Sequence, residues 1–417
     1  MYLMRILDRC RGACLTFAVL AGTTVGWAQG VNPLGGEFNL IGLRPGDQVL
    51  PAVALSQHTG VVAFFNQGLG IFAADLNNNY TSQSIFKVHK AANATNDQVR
   101  PGVVLLARGQ TLFVWQSKVA HTNSSMIYAR FANGSNFTST ADVLVNSSLV
   151  DQKVDPVVSA LPDGGAVVAW SSFGQDGSGW GVYARKLTAA GAVVTTPEFL
   201  VNQNVVGNQY HPAICTLADG NVVIAWISEG ERAVLSRDIY ARVFTPNGVP
   251  LTREFMLNSS ANPCSTPALA PLASGGFTAA WTQKDTVLTN SLDVWGQAFA
   301  VNGTPTGAAF RINGYLYGDQ YQPKLASCPS GVLAVWTSLG EDGDREGVYG
   351  RFLAGGAAVS GDEFLVNTTT ASQQLEPYVA WNGVDRFLVV WTSFAGVTPG
   401  GQLCGFDLFG QMYSLKP

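Results

Sequence analysis

Residues able to do chemistry are sparse in this chain. Of its 417 residues only four are histidines (His58, His89, His121 and His211), and no nucleophile elbow, zinc-type helix motif or phosphate loop accompanies them. Three groupings carry what chemistry there is. The first is acidic. Glu341-Asp342-Gly343-Asp344, with the related Asp176-Gly177, gathers oxygens of the kind that hold Ca2+. It lacks the spaced ladder of a dedicated calcium loop, so a solvated acidic turn is the plainer reading, and Ca2+ is the one cofactor suggested. The second is aromatic: Tyr315, Tyr317 and Tyr321 share one loop, Tyr210-His211 fall in an equivalent loop, and Trp180 enters the third strand of copy 3. Exposed aromatics offer flat, partly polar contact surface for sugars or protein partners, whereas tyrosines packed over the loop base are the bland alternative. The third is a choice among carboxylates. A glycosidase needs two Asp or Glu at a set separation, and spacing along the chain selects no pair from Asp176, Glu229, Asp293 and Glu346.

The elements that must position these residues are set by a repeat. Prolines fall at 51, 101, 156, 212, 267, 323 and 377. An aromatic ends the second apolar run of each copy at Phe65, Trp115, Trp170, Trp226, Trp281, Trp336 and Trp391. A period of this size with several strand-like runs per copy is the signature of a propeller or similar array. Within a copy, strand A follows the proline, strand B ends on the aromatic, strand C carries Tyr-Ala-Arg or a variant, and strand D ends in Asn. Asp163-Gly164 and Asp219-Gly220 between A and B, and Asn247-Gly248 and Asn302-Gly303 between C and D, are hairpin residues where φ must be positive. Strand B is nearly continuous in apolar residues, as in Val222-Val223-Ile224-Ala225-Trp226, which suits a strand buried on both faces. The Trp is read as the wedge between blades. The strand-C arginines Arg130, Arg185, Arg242 and Arg351, with Asp75 in their slot in copy 1, are read as snorkelling or bridging blades. The recurrent Asn and Gln are read as satisfying backbone groups of the D–A loops.

Glu37-Phe38-Asn39-Leu40-Ile41 matches strand D yet precedes any strand A, and the last copy stops after strand C. The first segment is therefore expected to complete the last sheet. The fold class is all-β: a seven-bladed β-propeller of four antiparallel strands per blade, closed by the N-terminal strand joining the last blade. Its two ends differ. Tight A–B and C–D turns occupy one, and long D–A and variable B–C loops the other, shortest at Asn66–Gly70 and longest at Thr392–Gly405. Function belongs on the long-loop face.

Composition narrows the partners. Charged residues make up 12% and the net charge is −4, with no basic run, which argues against nucleic acid. Residues 1–28 read as an export signal, with Arg5, Arg9 and Arg11, an apolar Ala13–Ala21 and a Gly26-Trp27-Ala28 cleavage site. Residues 29–417 then form a single propeller domain, expected to be secreted, periplasmic or extracellular, monomeric and without a membrane span. Of the cysteines beyond the signal, Cys215 and Cys328 occupy small apolar slots, and Cys264 and Cys404 are placed in loops, with no spacing that pairs them.

The span from Glu37 to Tyr413 resembles a β-propeller, and its closure is similar to that of WD-repeat proteins, although Gly-His and Trp-Asp signatures are absent. Val-x-x-Trp-x-Ser, Val-Tyr-x-Arg and Glu-Phe-x-Val-Asn look like repeats of exported bacterial proteins. The expectation drawn is a non-enzymatic binding or scaffold module for an extracellular glycan or protein. The alternatives are a glycoside hydrolase or polysaccharide lyase with carboxylates at the central channel, and a purely structural envelope or matrix protein.

Overall fold

The computed structural model describes residues 30–90, 97–107, 109–118, 122, 124–133, 141–149, 151–188, 196–286, 291–397 and 403–415. The expected export signal, residues 1–28, lies outside them. The described residues form seven antiparallel sheets of four strands and no helix, so none is long and apolar enough to cross a membrane. Six sheets take their strands in chain order. The seventh is completed by Val31–Asn39, which pairs with Leu403–Leu415, as the strand offset predicts. The inner strands, from Gln48–Leu55 in blade 1 to Gln374–Trp381 in blade 7, touch their neighbours all round, the seventh against the first. The ring is closed.

The tryptophans wedge between blades as read. Six are 0–1% exposed, and removing one should cost ~3–5 kcal/mol. The seventh wedge is Phe64, not Phe65. In blade 1 Ala52 faces Ala63, as Ala213 faces Ala225 in blade 4, so Phe64 stands where Trp226 does. The same one-residue slip moves Asp75 out of the arginine slot, which Ala74 fills. The arginines do bridge blades. Arg185, Arg242 and Arg351 each donate from Nη1 to a carbonyl of the preceding blade (Val145, Val201 and Ile312), and Arg130 donates likewise to Val88.

The recurrent Asn and Gln do the work assigned to them. Asn146, Asn202, Asn258, Asn313 and Asn367 each accept a strand-C amide on Oδ1 at 2.7–2.8 Å. Gln209, Gln320 and Gln374 donate from Nε2 to a carbonyl three residues back. The long segment of copy 7 is mostly strand: Arg386–Val397 and Leu403–Leu415 form an extended hairpin, with Phe394 opposite Phe406. Cys264 opens an inner strand rather than sitting in a loop, and it, Cys215 and Cys328 are buried and free.

Candidate active site at the mouth of the channel

Every inner strand carries a bulge at one place. Two of its residues oppose the single aromatic wedge, as Asp155 and Pro156 oppose Trp170. The first of the two has positive φ in all seven blades: Leu50, Arg100, Asp155, His211, Thr266, Gln322 and Glu376, at 45–56°. A side chain in this conformation costs ~1–3 kcal/mol and persists only where the surroundings dictate it. Here the hydroxyl following the preceding blade's wedge helps to do so. Ser171 Oγ accepts the His211 amide at 3.0 Å, Thr282 Oγ1 that of Gln322 at 3.1 Å, and Thr337 Oγ1 that of Glu376 at 3.3 Å. The bulge lies where the D–A loop enters the innermost strand, so these seven side chains ring the long-loop end of the channel. Sequence reasoning fixed on the proline and, His211 apart, passed over its predecessor. The signal was present: one repeat position beside an invariant proline holds a different residue in each copy, most of them polar.

Three of the seven form a chain of charge. Asp155 accepts Arg100 Nη1 at 2.9 Å on one oxygen and His211 Nδ1 at 2.7 Å on the other. Burial pushes the Asp155 carboxyl up, but the His211 hydrogen bond and the Arg100 charge outweigh it, and it stays ionised below the usual range. With Nδ1 bonded to Asp155, His211 keeps Nε2 for other work, and its side chain is 43% exposed.

Beside this chain opens a cavity of about 350 Å³ between blades 3 and 4, lined by Val154, Asp155, Trp180, Asn208, Tyr210, His211 and Glu229. Small-molecule sites span ~300–1,000 Å³. Tyr210 donates to Glu229 Oε1 at 2.6 Å, and Asn208 Nδ2 to Oε2 at 2.9 Å. Burial first, then Glu229, pushes the Tyr210 hydroxyl up to about 12, so it keeps its proton. Its ring meets that of His211 edge-on, centroids 5.3 Å apart. Trp180 packs on Phe173 at 5.3 Å and is tied to Asn208 through its amide at 3.2 Å.

The aromatic candidates therefore divide. Trp180, Tyr210 and His211 line one cavity. Tyr315 and Tyr317 meet each other at 5.7 Å on the blade 6 loop, with Tyr317 72% exposed. Tyr321 has gone into the inner strand Gln320–Cys328, at the place Tyr210 holds in blade 4. The acidic candidates do not converge. Asp176 is in blade 3, where its Oδ1 caps the Ser178 amide. In blade 6 Asp342 caps Asp344, Asp344 accepts from Ser372, and Glu341 meets Glu363. Among the described residues no three His, Cys, Asp or Glu side chains form a group that could hold a metal ion.

No protein-family model and no curated protein sequence matches the chain. Its fold is similar to that of the α-L-arabinanase of Penicillium chrysogenum solved with arabinobiose, at 14% identity over 77% of this chain and 99% of that one, TM-score 0.53. It is also similar to the α-L-arabinofuranosidase of Fusarium graminearum, at 13% identity over 79% and 98%, TM-score 0.53. A polysaccharide lyase described as an ulvan lyase matches at 9% identity over 90% and 95%, TM-score 0.59. At these identities the likeness is one of fold. It nonetheless corrects the expectation of a non-enzymatic module, because these solved neighbours are glycan-active enzymes, the class held as the alternative.

Proposed function

We propose that this protein is a glycan-active enzyme of the eliminating type, a polysaccharide lyase working in the cavity between blades 3 and 4. The observation that carries the reading is the pair Asp155–His211 set against Tyr210–Glu229 in one cavity, with Arg100 joined to it from outside the lining through Asp155. Hydrolysis needs one carboxylic acid to give a proton and one free carboxylate. Asp155 is held ionised, with one oxygen on the Arg100 guanidinium and the other on His211 Nδ1, and Glu229 accepts on both oxygens, so the two acids lining the cavity are already engaged. Elimination from a uronate-containing chain asks for different groups: a base for the proton beside the carboxylate, an acid for the departing sugar oxygen, and a cation near the carboxylate. His211 Nε2, oriented through Nδ1 by Asp155, suits the base. Tyr210, protonated at neutral pH, suits the acid, its hydroxyl turning from Glu229 to the departing oxygen as the proton is given up. Arg100, with a half-exposed side chain at the rim, suits the cation. Trp180, backed by Phe173, supplies an apolar wall for a sugar face.

The test is an assay of purified protein on acidic and neutral polysaccharides, reading both the ultraviolet absorbance of unsaturated uronate ends and new reducing ends. Unsaturated ends are expected, with His211→Ala lowering the rate by ~10²–10⁴-fold. Reducing ends from a neutral arabinan without unsaturation would instead make Asp155 and Glu229 the working pair and replace elimination by hydrolysis.

A further inference from the structure

A second cavity, of about 420 Å³, opens on the opposite, tight-turn face between blades 1 and 2. It exists because of one residue. Asp75 faces Val61 across strands B and C, three residues before the Phe64 wedge. The equivalent residues are Phe131, Lys186, Val243, Ala298, Phe352 and Met412. Five are apolar and 1–6% exposed, and they fill the seam toward the next blade. The sixth, Lys186, crosses that seam region with its ammonium on Asp163 at 2.7 Å and Asn247 at 3.1 Å. In blade 1 the short Asp75 leaves the seam open. Its residue is 9% exposed, and it has no hydrogen bond or ion pair among the described residues. An isolated carboxylate in such surroundings is costly unless a cation or donors reach it. Around it stand Thr59, Asn77, Gln83 and Thr111, over a floor of Val61, Leu76 and Leu105.

We propose that this cavity is a binding site for a small organic cation, a primary ammonium or guanidinium group on a short polar body. The ligand's charge pairs with Asp75, as the Lys186 ammonium pairs with Asp163 in the corresponding seam, and the amide and hydroxyl side chains take its remaining donors. The site lies at the other end of the ring from the proposed catalytic cavity and does not depend on that reading.

Titration of the full chain with agmatine, followed by calorimetry and by NMR shifts, tests the proposal, with the uncharged 1,4-butanediol as the matched control. Saturable binding of agmatine and none of the diol is expected. Asp75→Asn should weaken it at least tenfold. Asp75→Phe, which installs the side chain seen in blades 2 and 6, should abolish it and raise the melting temperature. His211→Ala should leave binding unchanged. If Asp75→Asn does not fold, Asp75→Phe carries the comparison. Absence of saturable agmatine binding to the natural chain overturns the proposal, and so does binding that survives both Asp75 substitutions or is matched by the diol.

Discussion

At the scale of single residues, the repeat lets one copy explain another. Five residues after the wedge, blade 3 has Gln175, which accepts from Ser172 at 2.7 Å and donates to Glu198 at 2.6 Å. Blades 4 and 6 put Glu231 and Glu341 there, each accepting from its own serine (Ser228 or Ser338) and each meeting a second carboxyl, Glu254 or Glu363. A glutamate can replace the glutamine donor only if it carries a proton. Burial first, then Glu363, pushes Glu341 from its ordinary 4.5 up to about 8. The folded chain thus holds that proton more tightly than the unfolded one. Its contribution is greatest below about pH 4.5 and declines as pH rises, until it is gone above about 8. Glu341→Gln should therefore leave the melting temperature nearly unchanged at about pH 5 and raise it at about pH 9, flattening the profile. A variant whose profile keeps the natural slope would show that Glu341 is not the titrating group. The recurring Asn and Gln were legible because identity and spacing repeat together. The bulge residues were not, because their identity changes in every copy and a residue before proline ordinarily avoids this region of φ and ψ.

Among elements, the strand is where reading by pattern succeeded and slipped. Six blades announce their wedge with Trp, and the strand pairings follow. Blade 1 offers Phe64 and Phe65 in succession, and a one-residue shift exchanges the two faces of every strand attached to it. That shift put Asp75 among the bridging arginines instead of in the seam toward blade 2, and hid a cavity. The bulge has its own device in the Ser or Thr after the wedge. Thr282 Oγ1 takes the Gln322 amide at 3.1 Å and meets Thr266 Oγ1 at 2.6 Å, and it is 1% exposed. Thr282→Val keeps the shape and removes the partner of both, so it should cost ~1–3 kcal/mol. Thr282→Ser, the choice made in blade 3 at Ser171, should cost less than half as much. Denaturant unfolding of the two variants measures this, and equal losses would mean that the methyl, not the hydroxyl, holds the bulge.

For the whole molecule, stability hangs on one closure. The strand Val31–Asn39 is the single contribution of the amino-terminal end to a blade whose other three strands arrive at the carboxyl-terminal end. Its neighbours reach across both adjoining seams. Val31 packs in the cluster shared by blades 6 and 7, and Leu40 and Ile41 in the one shared by blades 7 and 1. Glu37 accepts from the Thr368 and Thr369 amides of the blade 6 exit loop at 2.6 and 3.2 Å. Removing residues 30–41 would take one strand from a ring of seven sheets, yet it would unlock the seams on either side and bare the edge of Leu403–Leu415, a template for pairing between chains. The truncated chain should melt at a markedly lower temperature and aggregate. A synthetic peptide covering residues 30–42 should restore solubility and part of the melting temperature by adding the missing strand from solution. Recovery by that peptide and not by a scrambled one separates closure by this strand from a general loss of core. A truncated chain that melts like the full one would show that the ring holds without its clasp, and would leave the offset of the strands between the two ends of the chain without a mechanical role.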